Sequence, residues 1–336
     1  MRLILIFRDF SLVFVLVTVI LFYFWPVYQT IEDRSLLTRK VISKFSNTRY
    51  DVNNFNYTGD CGKVFRYLSN NNRDVILGSL EYKTLCQGRV FWTAIKMARQ
   101  AVPKARFVIL IQKGYPSYCE GDMNIMRELG VELVFFDKKF QGDMSSLRFF
   151  HYLDYLKQHI NNIDRVVLMD VRDVFFFGDF FMTFSTNEMS FVRECRSDTD
   201  PSLCYGPATF STHGVWLEKF FGGEVRKQFE EQKLPAVNGG FMFGGVEKVI
   251  QMLEIFESFV DKRKMKWGYD QALFNVLYYN GTFNSIGAEA SDCTQRFCYL
   301  GDSFRTVQKT ILMGKSDCSP VATHKLRLND IGWEMT

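Results

Sequence analysis

The longest apolar stretch of the chain lies near its N-terminus. Residues 10–28 carry no charge and are mostly Val, Leu, Ile and Phe. At 1.5 Å per residue they would form a helix of roughly 28 Å, enough to span a bilayer. The stretch ends in Phe-Trp-Pro-Val-Tyr without a small-residue cleavage pattern, which favours an uncleaved anchor over a signal peptide. Arg2 and Arg8 precede it, so the positive-inside rule predicts a cytosolic tail (1–9) and a lumenal remainder.

Beyond the anchor, residues 29–72 are polar and rich in Asn, with no sustained apolar period, and are predicted to be a stem. Strand-like and helix-like blocks then alternate. The predicted strands are 74–79, 106–111, 131–136 and 165–170; the predicted helices are 89–101, 119–129 and one carrying Phe149, Tyr152, Leu153, Leu156 and Ile160. The last strand is apolar on both faces, as in a central parallel strand covered by helices. This alternation predicts an α/β fold with ligands at the carboxyl ends of the strands.

The second half of the chain is less regular. Residues 195–235 are predicted to be a long loop region with one helix. The small-residue segment 238–245 precedes a predicted helix over 246–260, and a further helix is predicted over 269–279. We treat 73–336 as one large domain.

Composition narrows the class of protein. The 336 residues are 47% hydrophobic, with 41 basic and 37 acidic side chains, which excludes a disordered or collagen-like chain. A net charge of +4 is low for a nucleic-acid binder of this length, so no nucleic-acid partner is expected. All 8 Cys lie beyond the anchor without a Cys-x-x-Cys, which favours disulfides over metal and leaves the pairing open. Sequons at Asn56 and Asn280 agree with a secretory location.

The most informative motif is Asp170-Val171-Arg172-Asp173, directly after the buried strand. With the Asn-Gly-Gly segment at 238–240 and Asp270-Gln271 at a helix start, it resembles the motifs of nucleotide-diphospho-sugar glycosyltransferases of the GT-A fold. A stem behind one N-terminal anchor is the layout of the Golgi-type members. The resemblance implies a GT-A mixed sheet flanked by helices, a nucleotide-sugar donor and a divalent cation, usually Mn²⁺.

The acidic motif departs from the Asp-x-Asp of that family, because Arg172 stands at the second Asp and Asp173 follows. Two mechanisms stay open. Asp170 and Asp173 would ligate the cation, which requires a turn after the strand, or Arg172 would contact the diphosphate directly. We favour the first. The structural alternative is that Asp173 caps the turn and Arg172 pairs with Asp173 or Asp179.

The resemblance implies roles for three residues nearer the C-terminus. His324 would be the third metal ligand, although a structural histidine at a strand end is an equal alternative. Asp270 would act on the donor sugar or the acceptor as the catalytic residue, supported by Gln271. An N-cap role for Asp270 is compatible with that assignment.

The same resemblance extends the donor site to smaller and basic residues. Asn238, Gly239 and Gly240 would let the backbone approach the sugar, with a tight turn as the alternative. Gly78 and Ser79 close the first strand and would lie beside the nucleoside. Arg148 would be a further donor contact. The alternative, which is the usual position of an arginine, is exposure on a solvated helix face.

The sequence therefore predicts a single-pass type II membrane protein of the Golgi or ER. Its lumenal domain would transfer a sugar from a nucleotide-diphospho-sugar to a glycan, protein or lipid acceptor. No Gly-x-Gly-x-x-Gly, His-Glu-x-x-His or Gly-x-Ser-x-Gly motif points to another chemistry. The alternative is a non-catalytic relative that binds glycans or partner enzymes, which the Arg172 substitution keeps open.

Overall fold

The structure is a computed structural model that describes residues 55–80, 89–137, 141–299, 305–307, 310–313 and 316–325. The predicted cytosolic tail, the predicted anchor over 10–28 and stem residues 29–54 lie outside the described residues. Within the described ranges, no helix is both long and apolar enough to cross a bilayer.

Twelve strands and seven α-helices make up the described part of the chain. The strands are β1 (Asp74–Leu80), β2 (Arg106–Gln112), β3 (Val131–Phe136), β4 (Arg165–Met169), β5 (Val174–Phe176), β6 (Met189–Arg193), β7 (Val237–Gly245), β8 (Ala288–Ser291), β9 (Phe297–Tyr299), β10 (Arg305–Val307), β11 (Thr310–Leu312) and β12 (Ala322–His324). The α-helices are α1 (Arg89–Ala101), α2 (Glu120–Glu128), α3 (Met144–His159), α4 (Ser211–Phe221), α5 (Gly223–Glu231), α6 (Val246–Phe259) and α7 (Tyr269–Tyr279).

Seven of these strands form the main sheet, in the order β3-β2-β1-β4-β7-β6-β8. β7 runs antiparallel to both of its neighbours, β4 and β6, and the other pairs are parallel. A mixed sheet flanked by helices is the predicted fold class, and this part of the prediction is confirmed.

The strand period of two divides the core between the two faces of the sheet. In β1, Val75 and Leu77 point into a cluster with α3, α6 and α7, whereas Ile76 points into one with α1 and α2. β4 is buried along its whole length, because it lies in the middle of the sheet with helices on both sides.

A second, three-stranded sheet joins the end of the chain to the region after β4. β12 pairs antiparallel with β5 and parallel with β9, which places His324 opposite Val174 and Tyr299. Phenylalanines that follow the acidic motif are buried here. They pack edge-to-face and tilted against the β7 rings: Phe176, Phe180 and Phe184 against Phe241 and Phe243.

The predicted small-residue segment 238–245 is not a turn but most of the central strand β7. Every residue of β7 is buried, and Met242, Phe243 and Gly244 pair with both β4 and β6, so sheet pairing outweighs the poor strand propensity of glycine. The glycines also permit close approach: a Cβ at Gly244 would meet the backbone of Glu188, and one at Gly245 that of Thr186. The predicted loop region 195–235 likewise contains two helices, α4 and α5, rather than one.

The last part of the predicted stem belongs to the folded domain. Residues 59–64 form a short 3-10 helix in which Cys61 is disulfide-bonded to Cys318. Asn70 is buried and its side chain donates to Asp179 (2.9 Å). The domain therefore begins before residue 73.

The predicted disulfides are present. The described pairs are Cys61–Cys318, Cys195–Cys204 and Cys293–Cys298; Cys119 is also disulfide-bonded. The first joins residues 257 positions apart, whereas the last joins residues 5 positions apart.

We expect the double variant Cys61→Ser/Cys318→Ser to lower the free energy of unfolding by about 2–5 kcal/mol, since a long closed loop restricts the unfolded chain most. Urea unfolding of the full chain measures this. The matched variant Cys293→Ser/Cys298→Ser should lose less because its loop is short. Equal losses in the two variants would contradict the loop-length argument.

Candidate active site

A cleft of about 570 Å³ opens at one edge of the main sheet. It lies at the carboxyl ends of β1, β4 and β6 and the N-terminal end of the antiparallel β7. These four strands bring Ser79, Asp170, Glu194 and Asn238 to the same edge. This is the place where open α/β sheets bind ligands.

The chain turns directly after β4, as a shared cation requires. The Asp170 amide donates to the Gly240 carbonyl of β7 (2.7 Å), and the Asp173 amide closes the turn on the Asp170 carbonyl (3.4 Å). The Lys325 amide donates to the Asp173 carbonyl (2.9 Å). Pairing of β5 with β12 thus sets His324 and Lys325 beside the turn.

Asp170, Asp173 and His324 form a cluster suited to a metal ion. One ligand atom from each lies within 4.8 Å of the others, and His324 Nε2 is 3.7 Å from an Asp170 oxygen and 3.9 Å from an Asp173 oxygen. Two atoms bound to one ion at about 2.1 Å each lie up to roughly 4 Å apart. Carboxylates with an imidazole are ligands that Mn²⁺ accepts.

His324 is the strongest sign that this cluster binds something. Its side chain is 1% exposed, and neither ring nitrogen has a hydrogen-bond partner within the described ranges. Buried polar atoms are nearly always paired, so an unpaired Nε2 that faces two carboxylates is suited to bind a cation. Burial and the neighbouring Lys325 lower the pKa of His324, which favours the neutral form that ligates metal.

Arg148 does not lie on a solvated helix face. Its side chain is 12% exposed and points from α3 into the cleft, where it ion-pairs with Asp170, donates to the Gly239 carbonyl (3.0 Å) and lies 3.5 Å from Asp270. Burial alone would raise the pKa of Asp170, but Arg148, followed by His324 and Lys325, lowers it to about 2. Asp170 is therefore ionised at neutral pH.

Asp270 lies in the first turn of α7, but it is not the N-cap, which is Gly268. Burial raises the pKa of Asp270 although Arg148 opposes the shift. Its neighbour Gln271 accepts from the Gly239 amide (2.7 Å) and donates to the Val237 carbonyl (2.7 Å). Gln271 thus fixes α7 to the start of β7.

Glu194 and His213 were missed by the sequence analysis. Glu194 is 4% exposed and accepts from Asn238 (2.7 Å) and Gln271 (3.2 Å), and its second oxygen lies 3.1 Å from His213 Nε2. Burial alone would raise the pKa of Glu194. The hydrogen bond with His213 and weaker interactions with Asn238 and His324 outweigh burial and lower the pKa. The available signal was a carboxylate directly after a strand-like apolar run (189–193), the same context as that of Asp170.

The glycines of the predicted site hold its backbone close to side chains. A Cβ at Gly240 would collide with the Asp170 carboxylate, and one at Gly239 would lie 3.0 Å from the Gln271 oxygen. A Cβ at Gly78 would collide with Val171, so Gly78 supports the turn rather than lining the cleft.

Arg172 lies at the rim of the cleft. Its side chain is 50% exposed, with Nε 3.8 Å from an Asp173 oxygen. Asp179, the other predicted partner, caps a short 3-10 helix instead by accepting from the Phe181 amide (3.1 Å). Arg172 is thus free to swing towards a ligand, whereas Asp173 is ion-paired with Lys325.

The charges of the cleft are unbalanced. Its lining carries five carboxylates and three Arg or Lys side chains, which differ by a charge of −2: Asp143, Asp170, Asp173, Glu194 and Asp270 against Arg148, Arg172 and Lys325. A diphosphate would be repelled by such a cleft, and a divalent cation at Asp170, Asp173 and His324 would remove the excess.

No family model matches the sequence, and no curated protein matches it. Among solved structures, the galactosyltransferase LgtC in complex with donor and acceptor sugar analogues is similar at 12% identity, over 75% of this chain and 87% of that one, with a TM-score of 0.43. The glycosyltransferase GlyE of Streptococcus pneumoniae is similar at 15% identity, over 80% of this chain and 57% of that one, with a TM-score of 0.42.

We expect Gly240→Ala to lower the free energy of unfolding by about 1–3 kcal/mol, because the new methyl group must displace the Asp170 carboxylate. Thermal and urea unfolding measure the loss. The matched control is Gly223→Ala at the start of α5, where a Cβ meets nothing within 4 Å and alanine is the better helix former. A Gly240→Ala variant as stable as the wild type would contradict the close approach.

Proposed function

We propose that this protein is a glycosyltransferase that moves a sugar from a nucleotide-diphospho-sugar to an acceptor with the help of a divalent cation. The observation that carries the proposal is the convergence of Asp170, Asp173 and the unpartnered His324 in a cleft whose charge is otherwise too negative for a diphosphate. A cation bound there would neutralise the charge that builds on the leaving nucleoside diphosphate.

The chain's own residues complete the site in this proposal. Arg148 holds Asp170 and keeps it ionised, so that its oxygens are available as ligands. Asp270, 6% exposed and fixed by the same arginine, faces the sugar end of the cleft. Gly240 lines the cleft and lets the Asp170 carboxylate lie against β7, and Ser79 lines the β1 side, where we place the nucleoside.

The location proposed for this activity is the lumen of the Golgi or ER, behind a single N-terminal anchor. Four observations support it: the uncharged stretch 10–28, the even number of cysteines, the described disulfides and the sequons. The acceptor would be a glycan, protein or lipid exposed in that compartment.

Metal dependence is the direct test. Incubation of the purified full chain with a panel of nucleotide sugars and manganese chloride should release nucleoside diphosphate from one donor, and chelation should abolish the release until Mn²⁺ is restored. We expect Asp173→Asn to raise the Mn²⁺ concentration for half-maximal rate by more than about tenfold. Mutation of even an outer-shell partner of a metal typically lowers metal affinity or activity about 10–100-fold. Full activity after chelation would refute the metal model.

Two further variants separate metal binding from other effects. Asp137→Asn removes an exposed carboxylate outside the cleft and should leave the Mn²⁺ dependence unchanged. Arg172→Ala should raise the donor KM at constant Mn²⁺ dependence if the arginine contacts the diphosphate. Thermal stabilisation by nucleotide sugars without hydrolysis of any donor would instead favour the non-catalytic binding protein.

The lumenal location is tested by glycosylation of Asn280. Its side chain is exposed, with Oδ1 accepting from Thr282 (2.6 Å), whereas Asn56 is half-buried and its Nδ2 donates to the Asp317 carbonyl (2.9 Å). In a eukaryotic secretory host, we expect Asn280→Gln to abolish an endoglycosidase-sensitive mobility shift. Asn56→Gln is the matched control and should leave the shift intact. A full chain without any such shift would contradict lumenal exposure of Asn280.

A further inference from the structure

An aromatic wall lines part of the cleft. Its members follow one another through ring contacts: Phe210 to His213 (5.3 Å between centroids), His213 to Trp216 (5.5 Å) and Trp216 to Trp267 (4.7 Å). All four side chains line the cleft. Trp267 is 62% exposed and Phe210 41%, although large aromatic side chains are usually buried.

Contacts with Trp216 and the backbone at Gly268 hold Trp267 at the mouth of the cleft. The Trp216 and Trp267 rings are perpendicular, a preferred edge-to-face arrangement. Gly268 follows with φ of 86°, and a Cβ there would collide with the Trp216 ring, so only glycine fits between the two tryptophans. Two residues later stands Asp270, so the start of α7 fixes the tryptophan relative to the site.

The strand order places the His213 end of the wall away from Ser79. Ser79 follows from β1, and Glu194 follows β6, which is three strands further along the same edge. Neighbouring strands are about 4.8 Å apart, so roughly 14 Å separate the two ends, with Asp170 between them. The wall is joined to the Glu194 end through His213. A donor whose nucleoside lies near Ser79 and whose diphosphate lies at Asp170 leaves the wall for another molecule.

We propose that this wall binds a pyranose ring of a saccharide acceptor; the inference rests on the proposed function. The apolar C–H face of a sugar, with its partial positive charge, matches the negative face of the exposed Trp267 ring. His213 Nε2 lies 3.1 Å from a Glu194 oxygen, which leaves Nδ1 as the ring nitrogen that can form a hydrogen bond with a sugar hydroxyl. The acceptor is thus a glycan rather than a peptide or an unglycosylated lipid.

Saturation-transfer NMR on the full chain tests this directly. The protein is held in phospholipid nanodiscs, because sugar-headed detergents would compete for the site. The probes are lactose, maltose and cellobiose, each with manganese chloride and uridine or guanosine diphosphate. We expect transfer to the ring C–H protons of at least one disaccharide, an about tenfold higher Kd for Trp267→Ala, and transfer retained by Trp267→Phe, which keeps an aromatic face.

The control variant is Phe259→Ala, which removes an aromatic ring at the end of α6 that is exposed to a similar extent as Trp267. Phe259 does not line the cleft, so this variant should leave disaccharide binding unchanged. Absence of saccharide contact in the wild type, or an equal Kd for Trp267→Ala, would overturn the proposal. So would transfer to the nucleotide base that is lost in Trp267→Ala, because the wall would then bind the nucleoside.

Donor hydrolysis by the wild-type chain, measured in parallel, distinguishes failure of the acceptor-site proposal from failure of the proposed function. Hydrolysis of a nucleotide sugar without saccharide contact would refute the aromatic acceptor site and leave the transferase intact. Saccharide contact without hydrolysis of any donor would support the wall as a glycan site and refute the transferase.

Discussion

Burial of several carboxylates at one edge of the sheet is the constraint that shapes this molecule. An ionised carboxylate removed from water costs several kcal/mol unless partners compensate for it. Only 6% of the side-chain surface of Asp270 and of Glu194 is exposed, and 28% of that of Asp170. Compensation comes from Arg148 on α3 and His213 on α4. The two helices are therefore fixed to the edge by electrostatics as well as by their apolar faces, and the excess negative charge is directed at the cleft.

The site also depends on segments distant in sequence. β12 adds to β5, and this pairing carries His324 and Lys325 to the turn after β4. The Cys61–Cys318 disulfide holds the segment before β12 against the start of the domain. The Tyr57 hydroxyl adds a bond to the Pro320 carbonyl (2.9 Å) in the same region. Residues near both ends of the described chain thus position one ligand of the metal cluster.

The sequence predicted what local pattern determines. α1, β3 and α7 have the predicted bounds, because amphipathic period, Gly and Pro mark their ends. Asp170 lies at the carboxyl edge of the sheet, as predicted for an acidic residue directly after a buried strand. The pairing of strands across the sheet could not be predicted from the sequence. This pairing makes a strand of a glycine-rich segment, and it brings together the carboxylates that draw Arg148 into the cleft. The Glu194–His213 contact joins two elements with no spacing rule between them.

The charge distribution within the cleft bears on the order of events in the proposed reaction. The excess of carboxylates over Arg and Lys side chains in the cleft opposes a diphosphate and favours a divalent cation. Lys325, which pairs with Asp173, would have to release that carboxylate for a cation to be held there before the donor or together with it. The two tryptophans of the aromatic wall carry no charge, so their contact with a neutral sugar does not depend on this exchange. Donor and acceptor would then be recognised by different physics, with electrostatics at the turn after β4 and apolar stacking before α7.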